Sequence, residues 1–101
     1  MTALDDDEVR SRLEALDSAW TVADGGLHRD LTFDDFRVAF AFMSAVALEA
    51  ERLDHHPDWS NSWNRVAIDI VSHAAGGITD ACFTLASRID AHAARLATQP
   101  D

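Results

Sequence analysis

The fold this sequence predicts is an α+β two-layer sandwich. Its elements run α-β-β-α-β-β-α, with a four-stranded, largely antiparallel sheet whose helices pack on one face. Three observations lead there. Apolar residues recur at helical spacing from Asp35 to about Leu53, they alternate from Leu27 to Phe33 and again from Asn64 to Val71, and Gly25-Gly26, Pro57 and Gly76-Gly77 punctuate the runs.

The first element spans Asp5 to about Leu16, with Val9, Leu13 and Leu16 on one stripe and four consecutive acids at its start. Acids suit the positive end of a helix dipole, so a short amphipathic helix is expected. Trp20 and Val22 then alternate, and Ala23-Asp24-Gly25-Gly26 tolerates positive φ. Leu27, Arg29, Leu31 and Phe33 alternate with His28, Asp30 and Thr32, which makes a β-hairpin. Thr32 or Asp34 is a candidate cap for the long helix that follows. Phe36, Phe40, Met43, Ala47 and Ala50 form its main stripe, with Phe42, Val46 and Leu53 beside it. The Phe36/Phe40/Phe42/Met43 group reads as core, although this apolar face is wider than one small sheet can cover.

Pro57 stops that helix and pushes His56 into an extended conformation. A short strand is assumed around Asp58–Trp59. From Asn64 a strand places Val66, Ile68 and Ile70 on one face and ends at Ser72-His73. After Gly76-Gly77, Thr79 is a candidate N-cap, and Leu85, Ile89, His92 or Ala93, and Leu96 mark a final helix. Without repeat, linker or low-complexity run, residues 1–101 read as one domain.

Composition narrows the function classes. With 18 acids against 8 bases, net −10, the chain lacks the basic stripe that nucleic acid or anionic lipid requires. There is no apolar run long enough to span a membrane, and the amino terminus carries neither a basic region nor an apolar one. Cys82 is the single cysteine, which suits a reducing, cytoplasmic setting. At this size a site is expected to be shallow or shared between subunits.

His55, His56 and His73 all sit where elements end, which is where side chains converge. Histidine both gives and takes protons near neutral pH, so such a group suits acid–base work on a nitrogen-rich neutral substrate. Glu51, four residues before His55, and Asp54 stand close enough in sequence to orient an imidazole. Taken singly, His55 is explained as a charge at a helix C-terminus and His73 as a solvated strand end; the block Glu51-Arg-Leu-Asp-His-His-Pro weakens that explanation. Glu51, His55, His56 and His73 also form an acceptable nitrogen and oxygen set for zinc or iron. Adjacent imidazoles point apart, however, and no metal-binding spacing is present, so no metal is expected. Cys82 reads as a small buried residue of the last helix, and His28 and His92 as structural or solvated.

These residues resemble the pterin-4a-carbinolamine dehydratase family. The resemblance rests on Glu51-Arg-Leu-Asp-His55-His56-Pro57-Asp-Trp59, Asn61-Ser-Trp63-Asn64-Arg-Val66 and Ser72-His73-Ala-Ala-Gly-Gly77-Ile78-Thr79. Phe33 to Ala47 also looks like the family's dimer-forming helix, and the likeness runs from Trp20 to about Ala86. It implies dehydration of a 4a-hydroxytetrahydropterin to the quinonoid dihydropterin, with no metal or organic cofactor. It further implies that His55, His56 and His73 are essential. His55 and His73 are expected to protonate the departing hydroxyl from opposite sides, and His56 to hold the pterin and take the ring-nitrogen proton. Glu51, Asp54, Pro57 and Ser72 are expected to line the substrate. Two departures stand out: Cys82 occupies a position where the family usually has an aspartate, three residues after the threonine, and the Ala23–Gly26 hairpin is short. The family also includes protein-binding members that stabilise dimers of a transcription factor through the long helix. The rival expectation is therefore a catalytically weak binding module. Both readings expect a homodimer or homotetramer, because the helix has apolar surface to spare.

Overall fold

The computed structural model describes residues 2–98. Its elements are α1 (Asp6–Leu13), β1 (Thr21–Ala23), β2 (Gly26–Thr32), α2 (Phe36–Leu53), β3 (Asp58–Ser62), β4 (Arg65–Ile70) and α3 (Asp80–Leu96). The order matches the α-β-β-α-β-β-α expectation. The sheet runs β1-β2-β4-β3, and every neighbouring pair is antiparallel.

Alternation decides the layers. Leu27, Arg29, Leu31, Val66, Ile68 and Ile70 are buried on one face of the sheet, while His28, Asp30, Thr32 and Arg65 look the other way. α2 and α3 pack on each other and cover the apolar face, α2 lying over β4 and α3 over β2. One continuous core joins Val9 and Trp20 to both helices and the central strands.

Local chemistry sets the boundaries. Asp5 caps α1 by accepting from Glu8 N at 2.9 Å. α1 ends at Leu13, short of Leu16, because Ala15 and Leu16 donate three residues back, to Arg12 and Leu13, and tighten the last turn. Asp24 and Gly25, at φ 52° and 79°, form the two-residue turn between β1 and β2 that matches strand twist. Trp20 is not part of that strand. It is buried ahead of β1, where its indole N–H donates to Asp90 at 2.7 Å.

α2 is capped by Asp35, which accepts from Val38 N at 3.1 Å, so neither Thr32 nor Asp34 does this work. The face turned to the core carries Ala39, Phe42, Val46 and Ala50. Phe42 is buried as expected, but Phe36 and Phe40 are 47% and 57% exposed, contrary to their reading as core. The sheet is only wide enough for one of the two apolar stripes. β3 is longer than the assumed Asp58–Trp59 segment, and β4 stops at Ile70 instead of reaching Ser72-His73. Beyond Ile70 the chain folds on itself: Ser72 N donates to Gly77 O at 2.8 Å, and Gly76 N to Ser72 O at 2.8 Å.

α3 is tied to β2 and to the segment before β1 by one carboxylate. Asp90 of α3 accepts from Arg29 Nη1 at 2.5 Å, Trp20 Nε1 at 2.7 Å and Asp17 N at 3.1 Å. Removing one member of a buried pair strands the other charge, so Asp90→Ala is expected to cost about 3 kcal/mol, read from the urea midpoint.

On the open face of the sheet, His28 Nδ1 meets Asp69 at 2.8 Å and Nε2 meets Asp30 at 3.1 Å. The Asp69 bond, then the Asp30 bond, holds its pKa above the ordinary 6.5. The folded state therefore binds this proton more tightly than the unfolded chain does. The stabilisation is fully present below pH 6.5 and fades as pH rises through the raised value. Urea midpoints of wild type and His28→Gln should differ most at about pH 6 and converge by about pH 8.5.

Candidate active site

The site starts with the way α2 ends. Asp54 adopts the left-handed conformation, φ 50° and ψ 42°, and its N–H donates to Ala50 and Glu51 carbonyls. His55 N also donates to Ala50 O, at 3.0 Å. This double closure pairs two carbonyls of the last turn, those of Ala50 and Glu51, and reverses the chain, with aspartate replacing the usual glycine. Two adjacent imidazoles leave such a turn in different directions.

His55 turns inward and is half-buried, its Nε2 3.2 Å from Cys82 Sγ in the first turn of α3. His56 turns back along α2, and its Nε2 meets Glu51 Oε1 at 2.8 Å. Glu51 thus orients His56, not His55 as the four-residue spacing suggests. The left-handed residue takes His55 off the helical course, so its spacing to Glu51 no longer means a shared face.

His73 follows β4 and is exposed, with Nε2 3.4 Å from Asp58 Oδ2. Asp58 lies two residues after His56, so this pair holds His73 beside the His-His-Pro turn. Ser72 is buried, and its hydroxyl accepts from Ala75 N at 3.2 Å. In this arrangement Ser72 shapes the loop that carries His73. Asp54 is exposed at the turn itself.

Beside the turn an open groove of about 390 Å³ is lined by Ala47, Leu48, Ala50, Glu51, His56, Pro57 and Trp59. Its walls are apolar, and its polar groups, Glu51 and His56, stand together. Glu51, His56 and Pro57, three of the residues picked out in the sequence, meet here; His55 and His73 do not line the groove. Among the described residues no three His, Cys, Asp or Glu side chains gather as a metal-binding group.

Electrostatics separate the histidines further. Burial pushes the His55 imidazole below the ordinary 6.5, the neighbouring His56 ring adds to this, and Asp54 opposes it. Two contacts were not visible in the sequence. Asp58 needs the β3–β4 register to come near His73, and Cys82 needs the packing of α3 on α2 to meet His55. The one available signal was that Cys82 stands where the resembling family has an aspartate.

A family model described as pterin 4 alpha carbinolamine dehydratase matches residues 2–92. A relative from Solibacter usitatus, named "Putative pterin-4-alpha-carbinolamine dehydratase", is 50% identical over 93 residues, covering 92% of this chain and 97% of its own. A Chelativorans relative of the same name is 44% identical over 94 residues, with 91% and 95% covered. The crystal structure of a transcriptional coactivator/pterin dehydratase from Brucella melitensis superposes with a TM-score of 0.88. It is 38% identical and covers 91% of this chain and 99% of its own.

Opposite behaviour of two histidines checks the electrostatics. In a proton NMR titration the His55 ring should have its midpoint below 6.5 and the His28 ring above it. The reverse order would contradict the placement of His55 against α3.

Proposed function

Because the chain belongs to the pterin 4 alpha carbinolamine dehydratase family, we propose that it dehydrates 4a-hydroxytetrahydropterin to the quinonoid dihydropterin. The observation that carries this reading is the turn at Asp54, with His56 against Glu51 in an apolar groove walled by Pro57 and Trp59. Such a groove fits a flat heterocycle, whose faces are apolar and whose edges take hydrogen bonds.

The chemistry asks little of the protein. The carbon–oxygen bond of the carbinolamine breaks, a carbon–nitrogen double bond forms from the ring nitrogen, and the hydroxyl leaves as water. One proton must reach the oxygen and one must leave the nitrogen, so a positioned acid and base suffice. In this reading His56, oriented by Glu51, takes the nitrogen proton. His55 and His73 attend the departing hydroxyl, with Asp58 holding His73. Asp54, Pro57 and Ser72 complete the substrate's surroundings, Ser72 by shaping the loop under His73. The product is the oxidised-level dihydropterin that a reductase would return to tetrahydropterin, and the single thiol of Cys82 fits a cytoplasmic setting.

Phe36, Phe40 and Leu48, at 47%, 57% and 69% exposure, favour a second copy covering α2 in a homodimer or homotetramer. The same surface supports a second reading, a protein-binding module, as the coactivator description of the Brucella protein would have it. The readings differ in what the histidines must do.

Decay of freshly generated 4a-hydroxytetrahydropterin, followed by ultraviolet absorbance, separates them. Wild type should accelerate it, and His56→Ala or His73→Ala should each lower kcat/KM at least about tenfold. Unchanged kinetics in both variants would remove the assignment. An inert wild type would leave the binding module. Light scattering at micromolar concentration should return a dimer or larger, and Phe40→Glu should reduce it toward the monomer.

A further inference from the structure

At the start of α3 the helix forgoes its cap. Thr79 occupies the N-cap position with extended backbone, yet its side chain makes no capping bond. A threonine there ordinarily stabilises the helix by accepting from its first N–H groups. Its hydroxyl, fully buried, lies instead 3.6 Å from Cys82 Sγ, which is itself fully buried and 3.2 Å from His55 Nε2. Three polar atoms therefore follow one another from the foot of α3 to the turn after α2: Thr79 Oγ1, Cys82 Sγ, His55 Nε2.

Hydrogens can be assigned along this line in two directions. If His55 Nε2–H donated to sulfur, either the thiol hydrogen or the buried hydroxyl hydrogen would be left without an acceptor on the line. That arrangement carries the cost of an unpaired buried donor. If Thr79 O–H donates to sulfur and S–H donates to Nε2, every hydrogen on the line is used. The second direction leaves His55 with its proton on Nδ1.

We propose that Thr79 and Cys82 act as positioning residues that hold His55 as the neutral Nδ1–H tautomer, so that His55 serves the site as a fixed N–H donor and not as an acid. The proton for the departing hydroxyl then falls to His73. This rests on the dehydratase reading for its consequence, though not for the tautomer itself. The groups around His55 agree with it: Cys82 is the side chain that meets its Nε2, and from its own segment Asp54 and His56 act in opposite senses. Burial of the ring also favours the neutral form. A carboxylate in place of the thiol would accept from Nε2–H, reverse the line and favour the imidazolium.

Nitrogen-15 NMR of the histidine rings near neutral pH tests the tautomer directly in the full chain. Wild type and Cys82→Ser should show His55 protonated on Nδ1. Cys82→Ala should mix the tautomers, and Cys82→Asp should raise the His55 midpoint by about 1–3 units. A wild-type Nε2–H signal, or a tautomer unmoved in Cys82→Ala, overturns the proposal. Kinetics read the consequence. Asparagine places an amide N–H close to where Nδ1–H stood, so His55→Asn should keep kcat within about tenfold, whereas His73→Asn should lose about 10²-fold or more. Equal losses in both variants overturn the division of roles. An inert wild type whose His55 carries the proton on Nδ1 would leave the relay standing and remove the dehydratase reading instead.

Discussion

The left-handed residue at the end of α2 is the constraint on which the rest of the site depends. Were the helix to run one more turn, His55 and His56 would be successive residues on its surface and would meet neither α3 nor the groove. Asp54 breaks the run at φ 50° while its N–H and that of His55 still satisfy the carbonyls of Ala50 and Glu51. The reversal therefore keeps these two carbonyls paired, at the modest strain of a non-glycine residue in the left-handed region. It converts sequence adjacency into opposite directions, one ring to the interior and one to the surface.

The fold around this turn is rigid where that rigidity is useful. β3 starts at Asp58 and pairs with β4 in a register that places Asp58 opposite Asp69, so the segment after Pro57 is held by the sheet. α3 is anchored at its middle by Asp90, whose carboxylate gathers Trp20, Arg29 and the Asp17 backbone. That anchor fixes the position of α3, and with it the depth at which Cys82 meets His55. The loop of residues 72–77 is small and closed by its own hydrogen bonds, which keeps His73 near Asp58 without a long flexible connection.

Much of this architecture was legible in the sequence because it follows from periodicity and punctuation. Alternation at Leu27, Arg29 and Leu31 and at Val66, Ile68 and Ile70 identified the buried face of the sheet, and Pro57 and the glycine pairs marked the breaks. Burial along α2 was not legible residue by residue. Its two stripes, one through Ala39, Phe42 and Val46 and one through Phe36 and Phe40, are comparably apolar, and only the width of the sheet decides between them. The histidines could be named but not paired. Helical spacing pairs Glu51 with His55, a rule that holds only while the helix continues, and α2 ends at Leu53, before His55. The contacts from Cys82 to His55 and from Asp58 to His73 join segments 27 and 15 residues apart, beyond the range of any local pattern.

The three tryptophans lie in three environments: Trp20 is 4% exposed in the core, Trp59 is half-buried in the wall of the groove, and Trp63 is 66% exposed at the hairpin tip. With no tyrosine in the sequence, ultraviolet emission comes almost entirely from these indoles. The molecule thus carries its own optical probes. The spectral component from Trp59 responds to whatever enters the groove, that from Trp63 responds to anything docking beside the β3 edge, and that from Trp20 stays constant until the core itself opens.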